Sequence, residues 1–401
     1  MTADAYERNT FLPRPLRVLM VSAEVAPFAR AGGLGDVMQG LPRALGSMGV
    51  EVVVVTPYYG ITSLQNTPTP QAWSRPLWTP MGGDVRDVGV METIVAGDVR
   101  VVLLDSPSLF QRQGIYGDEH GEFGDNDLRF GLLSASALRV AETIWDGPPD
   151  VIHAHDWHGA LAIAYARLSD NEQWRKTVSV FTIHNLAFQG TFPLERAAVL
   201  GLPQEALHED ALRDGEHINL LKGGIVYADR VTTVSPSYAR EVVKPEHACG
   251  LDRALNQRSN RLVGIVNGID TDVWSPSRDR ALAARYDAHD PSGRSACRLA
   301  LAAELGLDLS NDAPILGVVT RIIPHKGIDI LLDALPTLVD MGLRLAIVAI
   351  GNSEVEAQLA DAAAKYPKKV AFRPVFGDPV ARRIYAGCDI FVMPSRFEPC
   401  G

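Results

Sequence analysis

The sequence predicts an α/β chain made of two doubly wound domains. Short apolar runs rich in Val and Ile recur along it, each closing on polar residues and followed by a helical pattern. Val52–Val55 closes at Tyr58, Val99–Leu104 at Asp105, Val151-Ile152 at His153, Val178–Ile183 at His184, Val231–Val234 at Ser235 and Leu262–Val266 at Asn267. Such runs suit parallel strands buried on both faces with helices between them. The second observation is length: 401 residues exceed what one hydrophobic core usually serves.

The first unit opens with LRVLMVSAEVAPFARAGGLGDVMQGLPRAL, Leu16–Leu45, which reads as strand, glycine loop and helix. Glycines let backbone approach a ligand, and N–H groups at a helix N-terminus attract phosphate oxygens. The dinucleotide fingerprint is excluded, because GGLG lacks the G-x-G-x-x-G spacing and Glu51 starts the next strand instead of ending it. A tight turn common to any α/β protein remains the plain alternative. In open α/β sheets ligands bind beyond the carboxyl ends of strands, where Glu24, Asp105, His153, His184 and Asn267 all stand. This unit is expected over about residues 16–265, after a polar, disordered extension over about residues 1–15.

Asn267-Gly268-Ile269-Asp270 reads as a turn, and the polar stretch to Arg294 as a connector, about residues 266–294. A second series, about residues 295–401, begins with a helix near Ala296–Leu305. Strands are expected at Ile315–Thr320, Leu345–Ile350, Lys369–Phe372 and Ile390–Met393. The sequence given stops at Gly401, directly after the last of these, where the next helix would begin, so the second domain is expected to be incomplete.

Composition narrows the class. Apolar residues make up 46% and charged residues 21%, as in an ordinary globule. The net charge of −10 argues against a nucleic-acid or anionic-membrane surface, so an anionic ligand must meet a local cluster. Four cysteines without metal-ligand spacing read as reduced thiols. The first residues carry Asp4 and Glu7 and no apolar h-region, and no stretch reaches membrane-span length, so a cytoplasmic protein is expected.

Four segments can carry chemistry. TRIIPHKG, Thr320–Gly327, places Arg321 and Lys326 on one loop before a helix, a fork and a point charge suited to a diphosphate. A solvated basic loop is the plain alternative. His153-Ala154-His155-Asp156-Trp157-His158 raises a metal site, but its order differs from the H-x-H-x-D-H of metallo-hydrolases and no remote ligand set is evident. Lining a cleft at a strand end is the simpler reading. Phe181-Thr182-Ile183-His184-Asn185 ends a strand of the same sheet. PSRFEPCG, Pro394–Gly401, brings Glu398, which suits sugar hydroxyls or equally a helix N-terminus.

Together with Leu221–Asp229, VTTVSPSYAREV and VNGIDTDVWSP, these segments resemble the starch-synthase type of GT-B glycosyltransferase (family GT5), which includes the bacterial glycogen synthases. They run in family order from near residue 16 to the last residue. The resemblance implies two Rossmann-like doubly wound domains facing across a cleft. It implies transfer of glucose from ADP-glucose to the non-reducing end of an α-1,4-glucan (glycogen), with retention and without a metal or other cofactor. The donor diphosphate would meet Arg321, Lys326 and the N–H groups at Gly32-Gly33. Asp156 and His184 would lie beside the transferred glucose, Glu398 would hold its hydroxyls, and Tyr116 in Gly114-Ile115-Tyr116-Gly117 would stand nearby. Arg30, Asn267 and Cys400 complete the implied substrate contacts. Arg30 replaces the lysine of the K-x-G-G-L loop, and Ala349-Ile350-Gly351-Asn352 stands where the family shows G-x-G-D. The family also continues past PSRFEPCG into a closing helix. Another retaining GT-B transferase and a non-catalytic glucan- or nucleotide-binding remnant are the competing expectations.

Overall fold

A computed structural model describes residues 14–64, 67–375 and 378–400. Within these the chain divides into two compact units, one ending at Ile269 and one spanning Asp270–Pro399. The first is built on β1 (Arg17–Val21), α1 (Gly33–Ser47), β2 (Glu51–Pro57), β3 (Gln71–Ala72), β4 (Leu77–Met81), β5 (Asp84–Val95) and β6 (Val99–Asp105). There follow α2 (Asn126–Trp145), β7 (Val151–His155), α3 (Asp156–Arg167), β8 (Val178–Ile183), α4 (Leu220–Tyr227), β9 (Arg230–Thr233) and β10 (Leu262–Gly264). The sheet runs β10-β9-β8-β7-β1-β2-β6-β5-β3, with β4 pairing to β5.

From β10 to β6 every neighbour is parallel. Leu19, Met20 and Val21 of β1 are wholly buried, as a strand covered by helices on both faces must be. Strand order reverses on either side of β1, which has β2 on one side and β7 on the other. At such a switch point the following connections leave toward opposite faces and open a crevice at the carboxyl ends.

β5 is antiparallel to both β4 and β6 and belongs to no expected strand. It is twelve residues long, and its buried positions, Val88, Val90 and Thr93, are separated by more open ones, so a search for continuous apolar runs passes over it. Gly82 and Gly83, both at positive φ, make its hairpin turn with β4.

Several boundaries move. β10 ends at Gly264, not Val266, although Ile265 N–H still donates to Thr233 O. Residues 1–13 of the expected N-terminal extension lie outside the described residues, but Arg14 is ordered against the sheet base. Its guanidinium grips both Asp150 oxygens at 2.6 and 2.9 Å. That bidentate pair is invisible to a reading of local polarity.

The second unit carries α5 (Gly293–Leu305), β11 (Ile315–Ile322), α6 (Ile328–Asp340), β12 (Arg344–Gly351), α7 (Ser353–Lys365), β13 (Val370–Arg373), α8 (Asp378–Gly387) and β14 (Ile390–Phe391). Its four-stranded sheet runs β13-β12-β11-β14, all parallel. Leu316, Val318, Leu345 and Ile347 pack against Leu331 and Leu335 of α6 on one face. Ile315, Ala346 and Val348 meet Leu301 and Leu305 of α5 on the other.

α3 presses closely on β1. A Cβ on Gly159 would stand 2.7 Å from the Val21 carbonyl oxygen. Gly→Ala inside an exposed helix stabilises, so the sign here is diagnostic. Gly159→Ala is expected to destabilise the protein by about 1–3 kcal/mol in urea denaturation, the cost of overpacking.

Candidate active site

The switch point gathers the polar ends of β1, β7 and β8. Glu24 follows β1 and is 3% exposed. Its Oε2 accepts the N–H groups of Ala31 and Gly32 at 2.7 and 2.9 Å, and its Oε1 accepts the Tyr116 hydroxyl at 2.5 Å. Gly32 N–H, expected at a diphosphate, donates in this structure to the chain's own carboxylate. Gly33, the first residue of α1, is exposed and its N–H has no acceptor among the described residues. Arg30 pairs with Asp36 at 2.9 Å, so the loop's cation is already partly balanced.

Asp156 begins α3 with φ +51, a left-handed conformation uncommon for any residue but glycine. Such strain persists only where surrounding contacts over-determine it. The carboxylate supplies one: Oδ1 accepts His184 N–H from the end of β8 at 2.7 Å. Burial pushes the Asp156 carboxyl up to about 7, opposed by the backbone N–H groups of His184 and Asn185.

His184 Nε2 meets His155 Nδ1 at 3.0 Å. Burial holds the His155 ring well below its ordinary value and pushes His184 down to about 3, so both are neutral near pH 7. His155 Nε2 is buried and has no partner among the described residues. A bare ring nitrogen is cheaper to leave unpaired than a buried N–H. The network therefore assigns the proton to His155 Nδ1, donating to His184 Nε2, and leaves His184 with Nδ1–H. His153, pushed down to about 4 by burial, is spent elsewhere, on a chain through Thr182 to Thr232. Tyr116 stacks on His158 with ring centres 4.7 Å apart. Among the described residues, no group of three or more His, Cys, Asp or Glu side chains is placed to hold a metal ion.

In the second unit, TRIIPHKG and PSRFEPCG come together. Lys326 Nζ pairs with Glu398 Oε1, which also accepts the Ser395 hydroxyl at 2.7 Å. Arg396 N–H donates to His325 O at 2.8 Å, and its side chain grips Asp329. Gly327, at φ +68, permits this approach, since a Cβ there would stand 2.0 Å from Pro394 O. Arg321, at the end of β11, is exposed, and its side chain has no hydrogen-bond partner among the described residues. Cys400 is an exposed free thiol, and the half-buried Asn267 side chain makes no hydrogen bond among the described residues.

Known families match both units. The starch synthase catalytic domain matches residues 17–257, and glycosyl transferases group 1 matches residues 306–401. The chain belongs to the glycogen and starch synthase family. A relative called glycogen synthase 2, from Geobacter metallireducens, is 40% identical over 96% of this chain and 80% of its own length. A glycogen synthase from Aromatoleum aromaticum is 42% identical over 96% of this chain and 78% of its own. The solved catalytic domain of starch synthase IV from Arabidopsis thaliana, bound to ADP and acarbose, superposes with a TM-score of 0.89. It is 31% identical and covers 96% of this chain and 80% of that one. A sucrose-phosphate synthase from Thermosynechococcus elongatus, 18% identical with a TM-score of 0.55, shares the fold alone. The GT-B fold expected from the motifs is thus the fold of the family.

Sequence motifs did not single out His155 as more than one member of HAHDWH, nor show that Glu24 closes on the glycine loop. The first depends on a contact between strand ends, and the second on how the loop after β1 folds back on Glu24. The ring assignment has a direct readout. In ¹⁵N-resolved histidine spectra, His184 is expected as the neutral Nδ1–H tautomer throughout pH 5–8. An Nε2–H tautomer, or titration inside that range, would contradict the network.

Proposed function

We propose that the protein transfers glucose from ADP-glucose to the non-reducing end of an α-1,4-glucan, with retention at the anomeric carbon and without a metal. The observation that carries this reading is similarity along both units to proteins called glycogen synthase, joined by a structural neighbour bound to ADP and acarbose. The second unit supplies the cations. Arg321 is exposed and uncommitted among the described residues, and Lys326 is ion-paired to Glu398. In this reading both meet the diphosphate, and they stabilise ADP as negative charge grows on it in the transition state. Glu398, oriented by Lys326 and Ser395, accepts hydroxyl hydrogen bonds from the transferred glucose.

The first unit supplies a neutral donor and a carboxylate. His184 Nδ1–H donates to a glucose hydroxyl. Asp156, fixed on the His184 backbone, places negative charge beside the sugar as its anomeric carbon becomes cationic. Departure of ADP and attack of the acceptor hydroxyl on the same face account for retention without the paired-carboxylate scheme of glycosidases. The protein acts as a soluble catalyst in the cytoplasm in this reading; no helix among the described residues is long and apolar enough to cross a membrane.

Incorporation of radiolabelled glucose into glycogen tests the reading, with UDP-glucose as the parallel donor. Label from ADP-glucose is expected; silence with both donors would refute it. Arg321→Ala and Lys326→Ala should each lower kcat by about 10²–10³ and raise KM less, because leaving-group charge is greatest in the transition state. Wild-type kcat in both would remove the diphosphate assignment.

The Asp156 carboxyl adds a pH signature. With its value pushed up to about 7, kcat should climb as pH rises through 7 and the carboxylate forms. The residual activity of Asp156→Asn should lack that limb.

A further inference from the structure

Glu24 has no role in the reading above, yet it is the most heavily engaged carboxylate at the switch point. Its backbone is pinned first: Ser22 Oγ accepts Glu24 N–H at 3.2 Å and donates to Glu24 O at 2.7 Å. Its side chain then receives three donors, two from the glycine loop and one from Tyr116. No Arg or Lys pairs with it among the described residues, since the nearby Arg30 is held by Asp36. A buried carboxylate without a cation is costly unless its lone pairs are filled. Here the N-terminal N–H groups leading into α1 and a phenol do the filling, so the charge sits where the helix dipole favours an anion.

Tyr116 is itself fixed from elsewhere. Its carbonyl accepts Asn126 Nδ2 at 2.8 Å, and the adjoining Ile115 carbonyl accepts Nη1 of the fully buried Arg129 at 2.8 Å. Burial, then the Glu24 charge, pushes the phenol well above its ordinary value, so it stays protonated and donates. In the glycine loop, the N–H groups of Ala31 and Gly32 are held by Glu24. Ala31-Gly32-Gly33 carries two residues of wide backbone freedom, whose ordering costs entropy.

We infer that Glu24 is a positioning residue for glucosyl transfer: its carboxylate ties the glycine loop to Tyr116, so that Gly33 N–H is presented to the donor diphosphate in one register. The carboxylate takes the N–H groups of Ala31 and Gly32 out of competition and leaves the next one for the ligand. Loop and tyrosine then move as one body, and the entropy of ordering the loop is spent in folding instead of at each binding event. This rests on the reading of the loop as a donor-diphosphate site.

The experiment therefore has one arm that needs no substrate. Hydrogen exchange of the Ala31 and Gly32 amides, read by NMR in the free protein, is expected to accelerate about 10- to 100-fold in Glu24→Gln, as their charged acceptor is lost. Tyr116→Phe, which keeps the two N–H contacts, should give a smaller acceleration and serves if Glu24→Gln fails to fold. In the kinetic arm, Glu24→Gln should raise the ADP-glucose KM and lower kcat, together about 10- to 100-fold in kcat/KM, and leave the glycogen KM unchanged. The double variant should cost less than the product of the two single losses, because both remove the same hydrogen bond. Unchanged exchange in Glu24→Gln would overturn the tie itself. Accelerated exchange with unaltered donor kinetics would show that the tie exists and that the loop does not hold the donor, which overturns the role in transfer. Losses that multiply in the double variant would also overturn it, by separating Glu24 from Tyr116.

Discussion

The reversal of strand order at β1 is the constraint on which the first unit depends. A strand with a parallel neighbour on each side, reached by connections over opposite faces, cannot close its carboxyl end with a helix. β1 lies between β2 and β7, and the gap above it is where Asp156 meets His184, with the Glu24 charge acting on Asp156. A core of wholly buried valines, leucines and isoleucines below makes that position rigid. Polar groups placed at its rim are held by the sheet register, not by loops of their own.

Burial at this rim sets the chemistry of the polar residues. It drives His153, His155 and His184 toward the neutral form and Asp156 toward protonation, so desolvation disfavours the charged form of base and acid alike. What prevents the site from becoming apolar is hydrogen bonding between neighbouring strand ends. Asp156 accepts a backbone N–H from β8, and one imidazole donates to the next. The positive φ of Asp156 falls at the same place, at the start of α3, where its carboxylate reaches His184 N–H.

The second unit solves a different problem with the same fold elements. Two loops that follow neighbouring parallel strands, β11 and β14, lie side by side and bring a lysine to a glutamate. Gly327 permits the approach, and the Arg396–Asp329 fork holds the outer edge. A cation and an anion that are seventy-odd residues apart in the chain become one polar cluster through strand adjacency alone.

Much of this was legible in the sequence, for a physical reason. Parallel strands buried on both faces must be continuously apolar, so β1, β2, β6 and β8 announce themselves, and their polar terminations mark where ligands go. The ordered motifs, from the glycine loop to PSRFEPCG, carried the family. β5 was not legible in the same way, because its few buried positions are interrupted by more open ones. Pairing was hidden too: Arg14 with Asp150, His155 with His184, and Lys326 with Glu398 are partners only after the sheets assemble. The glycine loop shows the division most clearly. Composition and spacing offered a glycine loop able to meet an anion at the start of α1, with a tight turn as the plain alternative. Only the tertiary structure decided that Glu24 occupies two of its N–H groups, because that depends on how the loop after β1 folds back on itself against the sheet, a path that residue types and spacing do not specify.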